Sequence, residues 1–175
     1  MPRRQPLPRL WMMTDERQSV ALFGALDRLP EGSGLVFRHY SLPAPDRRSL
    51  FDRVAAIARR RGLLLLLAGP AEEAAAWGAD GSHGRGPGGG LRTAAAHDLK
   101  EIRAAEEALA DLVFLSPVFR TRSHPDRPPL GPPAFAALAR ATCLPVVALG
   151  GMDSQRFLEL EGAYGWAGID AWTGA

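Results

Sequence analysis

Leu112-Val113-Phe114-Leu115-Ser116-Pro117-Val118-Phe119-Arg120-Thr121-Arg122-Ser123-His124 is the stretch on which the reading of this 175-residue chain turns. An unbroken apolar run passes into polar and basic residues with no helix between them. A strand buried on both faces reads as such a run, and a parallel strand delivers ligand contacts at its C-terminal end. About twenty residues on, Pro145-Val146-Val147-Ala148-Leu149-Gly150-Gly151-Met152 repeats the design with glycines in place of side chains. Two such strands in succession point to an α/β barrel whose late loops hold a phosphate or similar anion.

Working outward, the same alternation fills the chain. Apolar runs at 10–13, 35–37 and 63–67, a weak strand signal at 79–83 and a candidate strand at 93–96 precede this pair, and a strand at 165–169 follows it. Helical spacing is read over 19–29, after the Pro43 to Pro45 turn, over 71–77, 99–109 and 133–142, and from Asp153 or Ser154 to Leu160. Asp46 and Asp98 are expected as N-caps, with Glu101 at the capping-box position and Gly62 as a C-cap. Eight strands separated by helices or loops predict a compact (β/α)8 TIM barrel forming one domain over 1–175, with some helices shortened or missing. The glycine-rich loop 84–90 is expected to replace one helix, and the last helix has no sequence left to form it. A doubly wound open sheet is the alternative.

Composition narrows the function classes. The formal net charge is +2, and Lys100 is the sole lysine, so nearly all cationic charge is arginine. The basic clusters are short: Arg59-Arg60-Arg61 closes a predicted helix, where cations suit the macrodipole, and nucleic-acid binding is not expected. Cys143 is the only cysteine, so an internal disulfide is excluded and a reducing compartment fits. The 63–67 run is too short to span a bilayer, and the basic start carries no secretory apolar segment. A cytoplasmic protein is expected, without a membrane partner and compatible with a homo-oligomer. Zinc spacing, a Walker motif and a dinucleotide fingerprint are all missing.

Four segments carry a resemblance. Leu10-Trp11-Met12-Met13-Thr14-Asp15, Gly78-Ala79-Asp80-Gly81-Ser82-His83, Ala110 through Thr121 and Ala148-Leu149-Gly150-Gly151-Met152 are similar, in order and spacing, to the LYLVTD, GADGVH, GADYVGFGPVFPT and AIGGI motifs of the thiamine phosphate synthase and TenI (thiazole tautomerase) family. The resemblance implies a synthase that joins a pyrimidine diphosphate to a thiazole phosphate, with magnesium on the departing diphosphate. It also marks departures. The family's two metal-binding aspartates correspond here to the Ala68-Gly69 pair and to Arg85-Gly86-Pro87-Gly88. Arg38 survives from QLREK, whereas its Gln and Lys positions are Val36 and Tyr40; the lysine of TxTK is His124; the serine after the last strand is Asp170; and the tautomerase histidine is Pro117.

The candidate ligand and phosphate contacts are therefore Arg38, Thr121, Ser123, Gly150 and Gly151. Each also has an ordinary structural reading: Arg38 paired with Asp15 or Asp170, hydroxyls capping a turn, glycines making a tight bend. His83, His97 and His124 are the candidate acid–base groups, with His83 and His124 the weak catalytic candidates and a hydrogen-bonded structural role as the competing reading. No metal ligand or cofactor is expected, and magnesium enters only if the synthase reaction is retained. The expected partner is a small phosphorylated ligand. The implied function is a divergent family member that binds a thiazole phosphate or similar compound, the alternatives being an active synthase with altered groups and a non-catalytic regulatory binding protein.

Overall fold

A computed structural model describes residues 6–18, 21–84, 86, 88–122 and 126–172. Eight strands form: β1 (Leu10–Met13), β2 (Gly34–Phe37), β3 (Leu64–Ala68), β4 (Gly81–His83), β5 (Leu91–Ala96), β6 (Leu112–Leu115), β7 (Val146–Leu149) and β8 (Gly165–Gly168). Each pairs in parallel with its sequence neighbour, and β8 returns to β1, closing the barrel. The open-sheet alternative is thereby excluded.

Strand β6 shows why the apolar run is continuous. Leu112 and Phe114 point into the barrel with Trp11, Val36, Leu66, Leu91 and Val147. Val113 and Leu115 point outward, against Ile102 and Phe135 of the surrounding helices. A strand with core on both faces has no polar side to alternate with. The interior is filled by a few large groups beside very small ones. The Trp11 indole meets Phe114 edge-on at 5.2 Å, and a Cβ on Gly34 would lie 2.1 Å from that indole. Gly34 makes room for the ring that spans the barrel.

The helices are α1 (Leu22–Arg28), α2 (Ala44–Arg61), α3 (Ala71–Trp77), α4 (Leu99–Glu107), α5 (Gly131–Arg140) and α6 (Ser154–Phe157). Helix α4 is capped as its sequence predicts: the Asp98 carboxylate accepts the Glu101 backbone N–H at 2.8 Å. Gly62 ends α2 in the left-handed conformation, φ 62°. Asp46 is not the cap of α2; the helix begins earlier, behind Pro43, and Asp46 lies in its first turn. A proline early in a helix presets φ and removes an N–H that would need a cap, so no side-chain cap forms. Helix α5 likewise begins two residues before the predicted start and α6 is a single turn.

Two helices of the standard repeat are missing among the described residues. A loop joins β4 to β5, and after β8 only a 3-10 turn, Asp170–Trp172, follows. That turn is anchored well. Trp172 stacks on Trp166 at 5.1 Å, its indole N–H donates to the Trp11 carbonyl at 3.1 Å, and Arg28 donates to the Trp172 carbonyl at 2.9 Å. A pair of tryptophans thus covers the outer surface of β8 where a helix would pack.

Candidate functional site

The C-terminal ends of the strands present two different surfaces. On the β1–β4 side, polar groups bond to one another. Arg38, just past β2, donates from Nε to the Thr14 carbonyl at 2.7 Å and from Nη2 to Asp15 at 2.9 Å. Burial raises the Asp15 carboxyl, but hydrogen bonds from Arg17 and the charges of Arg17 and Arg38 outweigh it, and its pKa lies below the ordinary value. His39 is buried, takes the unusual φ of 44° for a non-glycine residue, and shares a 3.0 Å hydrogen bond with Thr14 Oγ1.

Arg47 of α2 closes this side. It donates from Nε to the Arg38 carbonyl at 3.0 Å, from Nη2 to the Ala68 carbonyl at 2.8 Å and from Nη1 to Glu73 at 3.3 Å. Only 11% of its side chain is exposed. One guanidinium therefore ties the ends of β2 and β3 together at the Ala68-Gly69 pair. His83, at the end of β4, shares a 2.9 Å hydrogen bond with Thr93 Oγ1 and meets Phe114 edge-on. Burial, with the Arg38 charge adding to it, pushes its pKa down to about 4, so the ring is neutral near pH 7.

The β6–β8 side is open. A cleft of about 380 Å³ lies over these strand ends, lined by Arg38, His97, Ser116, Thr121, Gly150, Gly151 and Asp170 together with Arg120, Arg122, Arg127 and Arg156. Carboxylates come close only to some of these guanidinium groups. Arg122 lies 3.8 Å from Asp170 and Arg156 3.9 Å from Asp153, too long for hydrogen bonds. Arg120 and Arg127 have no carboxylate partner among the described residues. The cleft thus carries an excess of positive charge with spare N–H donors, the arrangement that recognises phosphate or carboxylate.

Of the residues singled out from the sequence, Arg38, Thr121, Gly150 and Gly151 meet in this one cleft. His83 does not line it, and Ser123 and His124 lie outside the described residues. Arg38 is paired with Asp15, as its structural reading has it, and also lines the cleft. The glycines have a packing reason of their own: a Cβ on Gly150 would lie 2.7 Å from Pro117 Cα, and one on Gly151 2.5 Å from the Arg120 carbonyl. Their φ values, 94° and 62°, are also disfavoured for other residues. The β7 loop can approach the β6 loop only without side chains. Arg156 donates to the Gly151 carbonyl and sits over the Phe119 ring.

Sequence reasoning missed Arg120, Arg127 and Arg156 as cleft residues. Arg120 stood in the opening stretch, and its neighbour Thr121 was chosen instead. Arg127 and Arg156 had no signal apart from charge. His97 is the other histidine of interest: it lines the cleft, and its ring Nδ1 lies 2.6 Å from Glu101 Oε2.

A closed parallel (β/α) barrel with an arginine-lined cleft at the ends of its late strands is the class that fold and site define. Comparison with known proteins narrows it. A family profile described as thiamine monophosphate synthase matches residues 91–172. The "Putative thiamine-phosphate synthase 2" of Aquifex aeolicus is 31% identical over 93% of this chain and 96% of that protein. The thiamine biosynthesis bifunctional protein ThiM/ThiE of Symbiobacterium thermophilum is 36% identical over 79% of this chain and 32% of its own length. Among solved structures, thiamine phosphate pyrophosphorylase from Pyrococcus furiosus superposes with a TM-score of 0.79 at 23% identity, covering 97% of this chain and 88% of the other. The chain belongs to the thiamine phosphate synthase family.

Proposed function

We propose that this protein binds a small phosphorylated molecule, a thiazole phosphate first among them, in the cleft over β6–β8, and that it does so without the magnesium site of the synthases. The arginine-rich lining of that cleft carries the reading. A dianionic phosphate offers acceptors to several guanidinium forks at once.

The metal argument rests on donor chemistry. Magnesium requires oxygen ligands, carboxylates above all. At the two positions where the family places aspartate, this chain has Ala68-Gly69 and the 85–88 segment, and the Ala68 carbonyl is taken by the Arg47 guanidinium. That guanidinium, ion-paired with Glu73, already fills the corner. Among the described residues no group of three or more His, Cys, Asp or Glu side chains is placed to hold a metal ion. These residues do not fit magnesium, and no step of the reaction is routed through it.

Calorimetric titration with thiazole phosphate tests the reading. Saturable binding is expected, equal with magnesium and with chelator, and several-fold weaker in Arg120→Ala. An absence of binding, or binding that requires magnesium, would overturn it. Family membership favours a second reading, an active synthase with altered groups. Thiamine phosphate produced from both synthase substrates in a magnesium-dependent reaction would establish that reading in place of the first.

A further inference from the structure

The arginine-lined cleft also holds a carboxylate. Asp170 follows β8 and lines the same space as Arg120, Arg122, Arg127 and Arg156. Its backbone is fixed from both sides. Gln18, in the 3-10 turn Glu16–Gln18 behind β1, donates from Nε2 to the Ile169 carbonyl at 3.0 Å. Beyond it, the Trp172 indole donates to the Trp11 carbonyl at 3.1 Å, and the Trp172 carbonyl accepts from Arg28 at 2.9 Å. An acceptor is thus held in position at the cleft wall.

Charges face Asp170 from two loops. Arg17 stands on the β1 side; its pKa is raised chiefly by the hydrogen bond to Asp15, with the charges of Asp15 and Asp170 adding to it. Arg122 stands on the β6 side at 3.8 Å. The other charged or titratable groups lining the cleft are Arg38, His97, Arg120, Arg127, Asp153 and Arg156. Asp153 serves as the cap of α6, accepting the Arg156 backbone N–H at 2.8 Å. An ionised carboxylate has about four acceptor positions, so its arginine neighbours do not exhaust Asp170.

Donors and an acceptor make different demands on a tetrahedral anion. Guanidinium groups bind bare oxygens. A carboxylate only accepts, so it repels a bare phosphate oxygen and attracts one that carries a proton. A phosphate monoester has three terminal oxygens and loses its last proton near pH ~6, so both forms are accessible close to neutrality. In the monoanion two oxygens are left for arginines, and the third donates to Asp170 in a short charge-assisted bond. The cleft arginines are exposed, and solvent weakens each of their charges. A carboxylate touching a phosphate oxygen, by contrast, requires a proton between the two.

We propose that Asp170 makes the cleft select an anion by its protonation state: a phosphate monoester is held as the monoanion, its remaining hydroxyl donating to Asp170, and tetrahedral anions that carry no proton, such as sulfate, are rejected. The proposal rests on the reading of the cleft as an anion site and refines it, since arginines alone would take the dianion. Above the ligand's own pKa the proton comes from solvent as the ligand binds, and that O–H is the only bond formed. Selectivity of this kind comes from a repulsive group placed among attractive ones.

Phosphorus NMR and calorimetry of the full chain test this, with thiazole phosphate as ligand and inorganic phosphate and sulfate as competitors. At pH 8 the bound ligand should keep the phosphorus shift of the monoanion, while the free ligand shows the dianion. Calorimetry in buffers of different ionisation enthalpy should show uptake of about one proton per ligand at that pH. Affinity should rise about tenfold or more from pH 8 to pH 6, the opposite sense to an arginine-only site. Sulfate should compete about tenfold more weakly than inorganic phosphate. In Asp170→Ser, and in the size-matched Asp170→Asn, the bound shift should move to the dianion and the proton uptake should vanish. Sulfate should then compete within about threefold of inorganic phosphate. If Asp170 only balances Arg17 and Arg122, both variants will bind phosphate and sulfate more tightly by the same factor. That result, or a dianion bound to the parent protein at pH 8, overturns the proposal and leaves the anion site standing. Proton uptake that persists in both variants belongs to another group, His97 first, and also overturns it. An absence of binding overturns both.

Discussion

The two sides of the barrel mouth use the same residue type for opposite ends. Over β1–β4, Arg38 and Arg47 direct their donors to Thr14, Asp15, Ala68, Glu73 and the Arg38 carbonyl. Over β6–β8, Arg120 and Arg127 have no carboxylate partner among the described residues, and Arg122 and Arg156 approach theirs only at 3.8 and 3.9 Å. A buried guanidinium must be hydrogen-bonded or it destabilises the fold; an exposed one can remain available to a ligand. Burial, rather than the identity of the residue, separates the arginines bonded within the fold from those left with free donors here.

The strongest way to break the comparison is to damage what both sides share. Phe114 is fully buried at the centre of the barrel, touching Trp11 from the β1 side and His83 from the β4 side. Phe114→Ala should cost about 3–5 kcal/mol. Chemical denaturation should show it as a lower midpoint with the slope retained, and ligand affinity should fall along with stability.

Acid sharpens the contrast next. The folded pKa of His83 lies below that of the unfolded chain, so the unfolded state binds its proton first, and stability falls as pH drops from about 6.5 toward about 4. The effect is at most about 3 kcal/mol across that window. His39 shifts in the same direction, mainly through burial, and adds to the loss. Unfolding midpoints measured from pH 7 to pH 4 should decline, and His83→Gln should flatten the decline. An unchanged slope in that variant would mean that the ring accepts a proton in place. Lowered carboxyl pKa values at Asp15, Glu16 and Glu106 act in the same direction, their contribution being lost as pH falls through the unfolded values of 3.8 and 4.5, at the acid end of this window and below it.

How far these sides could be read from the sequence follows from what carries each feature. The barrel was legible because burial on both faces leaves a local trace, the apolar runs at 64–68, 112–115 and 146–149. Asp98 was legible because a cap is decided within four residues. The Asp46 expectation failed where Pro43 began the helix earlier. Arg47 was illegible: it lies 21 residues from the Ala68 carbonyl and 26 from Glu73, and no periodicity encodes those bonds. Arg127 and Arg156 reach one cleft from different loops for the same reason. Chain closure brings such residues together, and charge alone does not mark which of many arginines will meet.

Substitution of Arg47 tests the closed side alone. Arg47→Met keeps the stem against the neighbouring aromatic rings but removes the bonds to Ala68, Arg38 and Glu73. A loss of about 1–3 kcal/mol is expected, the cost of leaving buried acceptors without a partner. Thiazole phosphate affinity should change by less than twofold. A large loss of affinity at full stability would show that Arg47 serves the ligand and that the two sides are not separate.

Arg127→Ala is the converse and the smallest change to the fold. The side chain is exposed, and no hydrogen bond or ion pair holds it among the described residues. Its effect on stability should stay within about 0.5 kcal/mol, as for a surface position with no special feature. Affinity for thiazole phosphate should fall several-fold, and the loss should shrink as salt is added, because screening weakens an exposed charge more than a buried one. A variant that binds as tightly as the parent at low salt would remove Arg127 from the site, and the excess charge of the open side would then rest on Arg120, Arg122 and Arg156.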